Sequence, residues 1–181
     1  MKIILIGMKG SGKTTIGKLL AQRLHSTFID ADNEIEKTHQ REKGEVLSFR
    51  EIFSTYGASY FQSLDAETLK HIARGPEYTD FVFACGGRTP LQEENQPILK
   101  GLGTIIFLNV EKTVLLKHIS AQGTPAFFRY KDDPQRSLDE LLQGRLPVYC
   151  KLADIIIDIG EEAPERVVDS IIAELRARGE D

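Results

Sequence analysis

Gly7-Met8-Lys9-Gly10-Ser11-Gly12-Lys13-Thr14 stands between an apolar run, Ile3-Ile4-Leu5-Ile6, and a helical pattern, Ile16-Gly17-Lys18-Leu19-Leu20-Ala21. Strand, glycine loop and helix in that order are the context of a phosphate-binding P-loop. Glycine lets the backbone curl until several N–H groups face one anion. The helix that follows adds unpaired N–H groups and the positive end of its dipole. An ordinary glycine turn explains the glycines but not the Lys-Thr pair or the flanking elements. Gly10, Ser11, Gly12, Lys13, Thr14 and Thr15 are therefore expected to bind ATP. Lys13 reaches the β- and γ-phosphates in this reading, and the Thr14 hydroxyl holds Mg²⁺.

The rest of the chain fits around that loop. The sequence has 181 residues, 41% of them hydrophobic and 28% charged, with a net charge of −4. That is the composition of one soluble globular domain, expected over residues 1–181. A mildly acidic chain argues against a nucleic-acid grip, which needs clustered Lys and Arg. Cys85 and Cys150 have no metal-like spacing, and Cys85, ending an apolar run, reads as a buried thiol. No stretch approaches a membrane span or a signal peptide. A cytoplasmic protein without membrane or nucleic-acid partners is expected, and a monomer.

Short apolar runs alternate with helical patterns. Strands are expected at Met1–Ile6, Thr27–Asp30, Phe81–Cys85, Thr104–Leu108 and Ile155–Ile157. That alternation implies an α/β fold, three layers (α/β/α) around a five-stranded parallel sheet. Asp30 and Asp32 follow the second strand, at the carboxyl edge where such sheets bind ligands. They divide naturally into Asp30 near Mg²⁺ and Asp32 toward an acceptor hydroxyl. Equally, Asp32 caps the next helix and does nothing more. That helix, Asn33 to about Arg41, reads as charged and exposed. Leu47–Tyr56 and Ser59–Ala73 read as two helices broken at Gly57, and Gly75-Pro76 ends them; residues 33–73 form a natural acceptor-binding segment. Gly86-Gly87-Arg88 follows the third strand, where paired glycines allow close backbone approach to a ligand. No aspartate closes that strand, so an ordinary Walker-B position is missing there. Helices are also expected at Pro90–Leu99, Lys112–Ser120, Asp133-Pro134 to Gln143, and Pro164–Arg178. Gly144 to Tyr149 reads as an interruption or kink. Residues 121–133, with Phe127, Phe128 and Arg129, read either as a mobile lid that excludes water or as a loop whose phenylalanines pack on the core.

The ordered set of P-loop, Phe28-Ile29-Asp30-Ala31-Asp32, Gly86-Gly87 with Glu93-Glu94-Asn95, and Arg145-Leu146-Pro147-Val148-Tyr149 resembles shikimate kinase over nearly the whole chain. The resemblance implies strand order 2-3-1-4-5 and transfer of the ATP γ-phosphoryl to the 3-hydroxyl of shikimate, with Mg²⁺. It places Thr14 and Asp30 at the metal, and Lys13 and Asp32 in catalysis. It assigns Asp32, Gln62, Gly86, Gly87, Arg88 and Arg145 to the substrate, and Lys117 to the adenine. Several positions depart from the family pattern: Gln62 replaces an Arg, Asp65 a Glu, Arg88 a third glycine, and Lys117 an Arg. The lid reads Thr124-Pro125-Ala126-Phe127 where the family carries Arg-Pro-Leu-Leu. Arg88 is a candidate replacement for the cation absent at Gln62, and Arg129 for the lid arginine. Three readings follow: a kinase of shikimate, a kinase of the same build for another small hydroxylated acid, or a non-catalytic nucleotide-binding relative.

Overall fold

The structure, a computed structural model, describes residues 1–75, 79–121, 123, 125 and 127–180. The expectations placed on Pro76, Thr124 and Ala126 lie outside the described residues. Five strands, β1 (Lys2–Ile6), β2 (Thr27–Asp30), β3 (Phe81–Ala84), β4 (Thr104–Val110) and β5 (Ile155–Ile159), form one parallel sheet. Their order is β2-β3-β1-β4-β5, as expected. The apolar runs suit the interior positions of β1 and β3: Ile3 to Ile6 and Phe81 to Ala84 are buried along their length, as strands covered on both faces must be. β5 alternates buried and exposed residues, the pattern of an edge strand with one face in water.

The helices are α1 (Lys13–Arg23), α2 (Ala31–Lys43), α3 (Phe49–Arg74), α4 (Gln96–Leu102), α5 (Lys112–Ala121), α6 (Pro134–Leu152) and α7 (Pro164–Ala177). They cover the sheet and enclose one large core. A second, small core of Ile35, Ile52 and Leu64, edged by Leu47, Tyr56, Tyr60 and Phe61, belongs to α2 and α3 alone. Among the described residues no helix is long and apolar enough to cross a membrane.

Several elements differ from expectation, each for a physical reason. α2 is not an exposed helix: Glu34, Ile35, Thr38 and His39 are buried against α3. Around Ile35 and Ala31 its buried face is polar. The Thr38 hydroxyl donates to the Glu34 carbonyl (2.9 Å) and accepts from Thr68 (3.0 Å), and His39 Nδ1 meets the Tyr60 hydroxyl at 2.9 Å. Apolar periodicity is blind to such a face. The break expected at Gly57, by contrast, is present: α3 leaves helical geometry there, with Gly57 at φ 79° and ψ 179°. The expected Pro90–Leu99 helix is a short 3₁₀ turn, Thr89–Leu91, followed by α4. Asn95 is fully buried, its amide donating to Asp65 and to the Thr89 carbonyl; those bonds keep the chain off a helical path until Gln96. α6 runs through the expected interruption to Leu152, with Pro147 inside it. Pro147 deprives only the Gln143 carbonyl of its partner. Both residues lie on the exposed side, where water replaces the bond, while Leu138, Tyr149 and Leu152 hold the other side in the core.

Candidate active site

β1 delivers the chain into the loop at the carboxyl edge of the sheet. Gly7, Gly10 and Gly12 all have positive φ (147°, 85° and 82°). A side chain at Gly10 is crowded as well as strained, since its Cβ falls 3.0 Å from Ile119. Gly12 caps α1 with no side chain on the free N–H groups, and the first turn has no acidic residue. In contrast, Asp30, Ser48 and Asp133 cap α2, α3 and α6 with side-chain oxygens. The uncapped amides of Lys13, Thr14 and Thr15 are thus open to an anion.

Lys13 is folded onto its own loop. Its ammonium donates to the carbonyls of Gly7 (3.0 Å) and Met8 (2.8 Å) and lies 3.4 Å from Ser11 Oγ. Burial pulls its pKa down to about 8, against the attraction of Cys85, Asp32 and Asp30. Cys85 is buried beneath the loop, as expected, and burial pushes its thiol well up.

Asp30 is both cap and clamp. One carboxylate oxygen accepts from the Asp32 amide (3.0 Å) and the other from the Thr14 hydroxyl (3.0 Å). The capping role considered for Asp32 therefore belongs to Asp30. Asp32, in the first turn of α2, is left with its carboxyl beside the loop. Burial and then the charge of Asp30 raise its pKa to about 6, opposed by Lys13. Thr14 and Asp30 offer oxygen ligands to Mg²⁺, which keeps waters and phosphate oxygens in its shell and needs no protein cage. Among the described residues no group of three or more His, Cys, Asp or Glu offers such a cage.

Opposite the loop lies the turn after β3. A Cβ on Gly87 falls 3.5 Å from the Gly7 carbonyl and from the Lys9 amide, and 4.0 Å from Arg145 Nη1. Gly87 is thus the point where turn, phosphate loop and α6 meet. The Tyr149 hydroxyl donates to the Gly87 carbonyl (2.5 Å), and Arg145 Nη1 approaches Met8 Sδ at 3.7 Å. A thioether is a weak acceptor, so the guanidinium keeps most of its donors for another partner. A Cβ on Gly86 would press on Thr89 Oγ1 at 2.9 Å.

The structure gathers Lys13, Thr14, Asp30, Asp32, Gly86, Gly87 and Arg145 into one site. Gln62 is half-buried on α3. Arg88 is exposed, and its guanidinium makes no hydrogen bond or ion pair with a described residue. Lys117 is exposed on α5, 3.5 Å from Glu161. Arg129, 76% exposed, lies 3.8 Å from Glu140 and over the Tyr130 ring. Phe128 packs in the core, whereas Phe127 is 40% exposed and has the Lys9 ammonium 5.6 Å from its ring centre. Phe128 thus packs as the loop reading expects of both phenylalanines, and Phe127 does not. Sequence reasoning missed the supports: Tyr149, Met8, and His118, which meets the Gly10 carbonyl at 3.1 Å. It also gave no function to Asp65.

The profile of the shikimate kinase family matches residues 9–176. A shikimate kinase of Thermodesulfovibrio yellowstonii is 38% identical over 95% of this chain and 93% of its own length. One from a Synechococcus strain is 37% identical over 94% and 80%. Among solved structures, shikimate kinase from Acinetobacter baumannii in complex with shikimate superposes with a TM-score of 0.84 at 26% identity, covering 98% of this chain and 93% of that one. The Aquifex aeolicus enzyme gives 0.77 at 33% identity, covering 99% and 98%. A full-length match in sequence and the same sheet order place this chain in the shikimate kinase family.

Proposed function

We propose that the protein transfers the γ-phosphoryl group of ATP to a hydroxyl of shikimate, giving shikimate 3-phosphate. The observation that carries the reading is the meeting at Gly87, where an anion-binding loop and an arginine-bearing helix converge within 4.0 Å. Nucleotide and acceptor sides of a phosphotransferase must share such a seam.

In this reading the amides of the loop and of the first turn of α1 hold the phosphates, and Lys13 leaves its carbonyls for the transferring group. Thr14 and Asp30 would hold Mg²⁺, which would supply positive charge against the phosphates. Asp32 accepts the proton of the acceptor hydroxyl as the new O–P bond forms and the bond to the ADP oxygen breaks. A carboxylate with a pKa near 6 is ionised at neutral pH yet basic enough for that proton. Arg145 pairs with the acceptor carboxylate. Lys117 borders the adenine, and Arg129 exchanges Glu140 for phosphate when the lid segment closes.

Two residues favour a second reading, a different small hydroxylated acid as acceptor. Gln62 offers no charge, and Arg88 extends beside the glycine pair without a described partner. An ADP-release assay with ATP, Mg²⁺ and a panel of hydroxy acids beginning with shikimate separates the two. Shikimate giving the highest kcat/KM is the expected result; another acid leading by tenfold or more would replace it, and ATP binding without turnover on any acid would replace both.

A further inference from the structure

A carboxylate that the proposed transfer does not use lies under the acceptor side. Asp65, on α3, is 6% exposed. It accepts from Thr89 Oγ1 (2.9 Å), Gln92 Nε2 (2.8 Å) and Asn95 Nδ2 (3.4 Å). All three donors are neutral, and no cation among the described residues pairs with it. A buried carboxylate without a counter-ion is costly, and a core leucine here would cost nothing of the kind. Burial accordingly raises its pKa to about 6, and the charge of Asp32 adds to that, while the three donors pull it back.

The donors show what the charge is for. Thr89 donates its backbone N–H to the Gly86 carbonyl at 3.2 Å. Its Oγ1 is also the atom that a Cβ on Gly86 would strike. Gln92 and Asn95 follow the same turn. Asp65 therefore grips the whole of residues 86–95 from the α3 side. Tyr149 grips the Gly87 carbonyl from the α6 side. Between them the glycine pair is held against the Gly7 carbonyl and the Lys9 amide. Tyr149 also reaches the phosphate loop, its hydroxyl lying 4.0 Å from Met8 Sδ, whereas the hydrogen bonds of Asp65 all go to the turn.

We infer that Asp65 is a positioning residue: through Thr89, Gln92 and Asn95 it fixes the Gly86-Gly87 turn in register with the phosphate loop, and so sets acceptor affinity without contacting either substrate. The consequence for affinity rests on the acceptor lying at Gly86-Gly87; the anchoring of the turn does not. Thr89→Val removes the hydroxyl and keeps the side-chain shape. Asp65→Ala removes the anchor, and Asp65→Asn keeps an acceptor oxygen for Gln92 and an NH₂ that Thr89 can accept.

Hydrogen exchange of the peptide spanning residues 85–92, compared with residues 7–14, reads the anchoring directly. Asp65→Ala and Thr89→Val should speed exchange in 85–92 by about tenfold and leave 7–14 within twofold. Asp65→Asn should restore most of the protection. Steady-state kinetics should show the acceptor KM raised about tenfold by Thr89→Val, with the ATP KM unchanged. A purely structural role for Asp65 would instead lower melting temperature and active fraction and leave both KM values alone. Unchanged exchange in 85–92 in both variants overturns the inference; if Asp65→Ala does not fold, Thr89→Val alone decides. Absence of shikimate turnover in the unsubstituted protein overturns the proposed acceptor, and the exchange comparison still judges the turn.

Discussion

In the function proposed here, the nucleotide side and the acceptor side of the site are built on opposite plans. The nucleotide side is one contiguous stretch, Gly7 to Thr15, whose working groups are mostly main-chain amides stiffened by the large core beneath. The acceptor side is assembled from α2, α3, the turn after β3 and α6, and only its α2–α3 part rests on a small core of its own. Where the two sides depend on charge, the nucleotide side draws on Lys13 and the acceptor side on Asp32, Asp65 and Arg145. Backbone cannot be substituted away, so the first plan resists change. The second changes one residue at a time, which is where this chain carries Gln62 and Arg88. A family can thus keep one donor and alter its acceptor.

The sharpest way to break this division is Lys13→Ala. Turnover should fall by about 10²–10³-fold, as for loss of one transition-state donor, with the far-UV spectrum unchanged. A variant that keeps a tenth of its activity would show that amides alone carry the nucleotide side. Next is Asp32→Asn, expected to cost about 10²-fold in kcat with ATP affinity retained. In the unsubstituted protein, acceptor kcat/KM should rise with pH through about 6 as Asp32 ionises; that limb should vanish in the variant. Loss of ATP affinity would put Asp32 on the nucleotide side instead. Arg145→Ala should raise the acceptor KM about tenfold, the value of a charge-assisted hydrogen bond, and leave the ATP KM within twofold. An equal rise in both would make Arg145 a nucleotide residue.

The smallest effect concerns stability. Asp32 and Asp65 both have folded pKa values near 6, above the ordinary 3.8. The folded chain therefore holds these protons more tightly than the unfolded chain. Their contribution to stability is full below about pH 4 and is lost as pH rises through 6. Melting curves between pH 4 and 7 should fall less steeply for Asp32→Asn than for the unsubstituted protein, by about 2–4 °C for each kcal/mol relieved. A steeper fall would mean that Asp32 stabilises the fold, and the acceptor side would no longer be built at the expense of folding.

The same contrast explains what the sequence alone made legible. Strand positions and the phosphate loop rest on contiguous patterns, and each was readable; the sheet order followed from the family resemblance, since no local pattern says which strands are neighbours. The asymmetry of Asp30 and Asp32 was half readable. Spacing puts both at the sheet edge, but only the 3.0 Å bonds to Thr14 and the Asp32 amide show Asp30 as the cap. The buried face of α2 escaped because it pairs polar groups across to α3 instead of repeating apolar ones. Asp65 escaped because its partners lie 24 to 30 residues away, and no local pattern marks a carboxylate that works through a turn. The continuity of α6 through Pro147 escaped because it depends on which side of the helix faces water.

One bond pattern reaches beyond structure into the rhythm of turnover. Lys13 already commits its ammonium to the carbonyls of Gly7 and Met8. An arriving triphosphate therefore competes with two intramolecular acceptors and gains only the difference. In the proposed transfer the exchange would run in reverse as the terminal charge departs with the acceptor, and the carbonyls would reclaim the lysine. A loop that can satisfy its own cation would thus give up some grip on ATP and hold the spent nucleotide by one contact fewer.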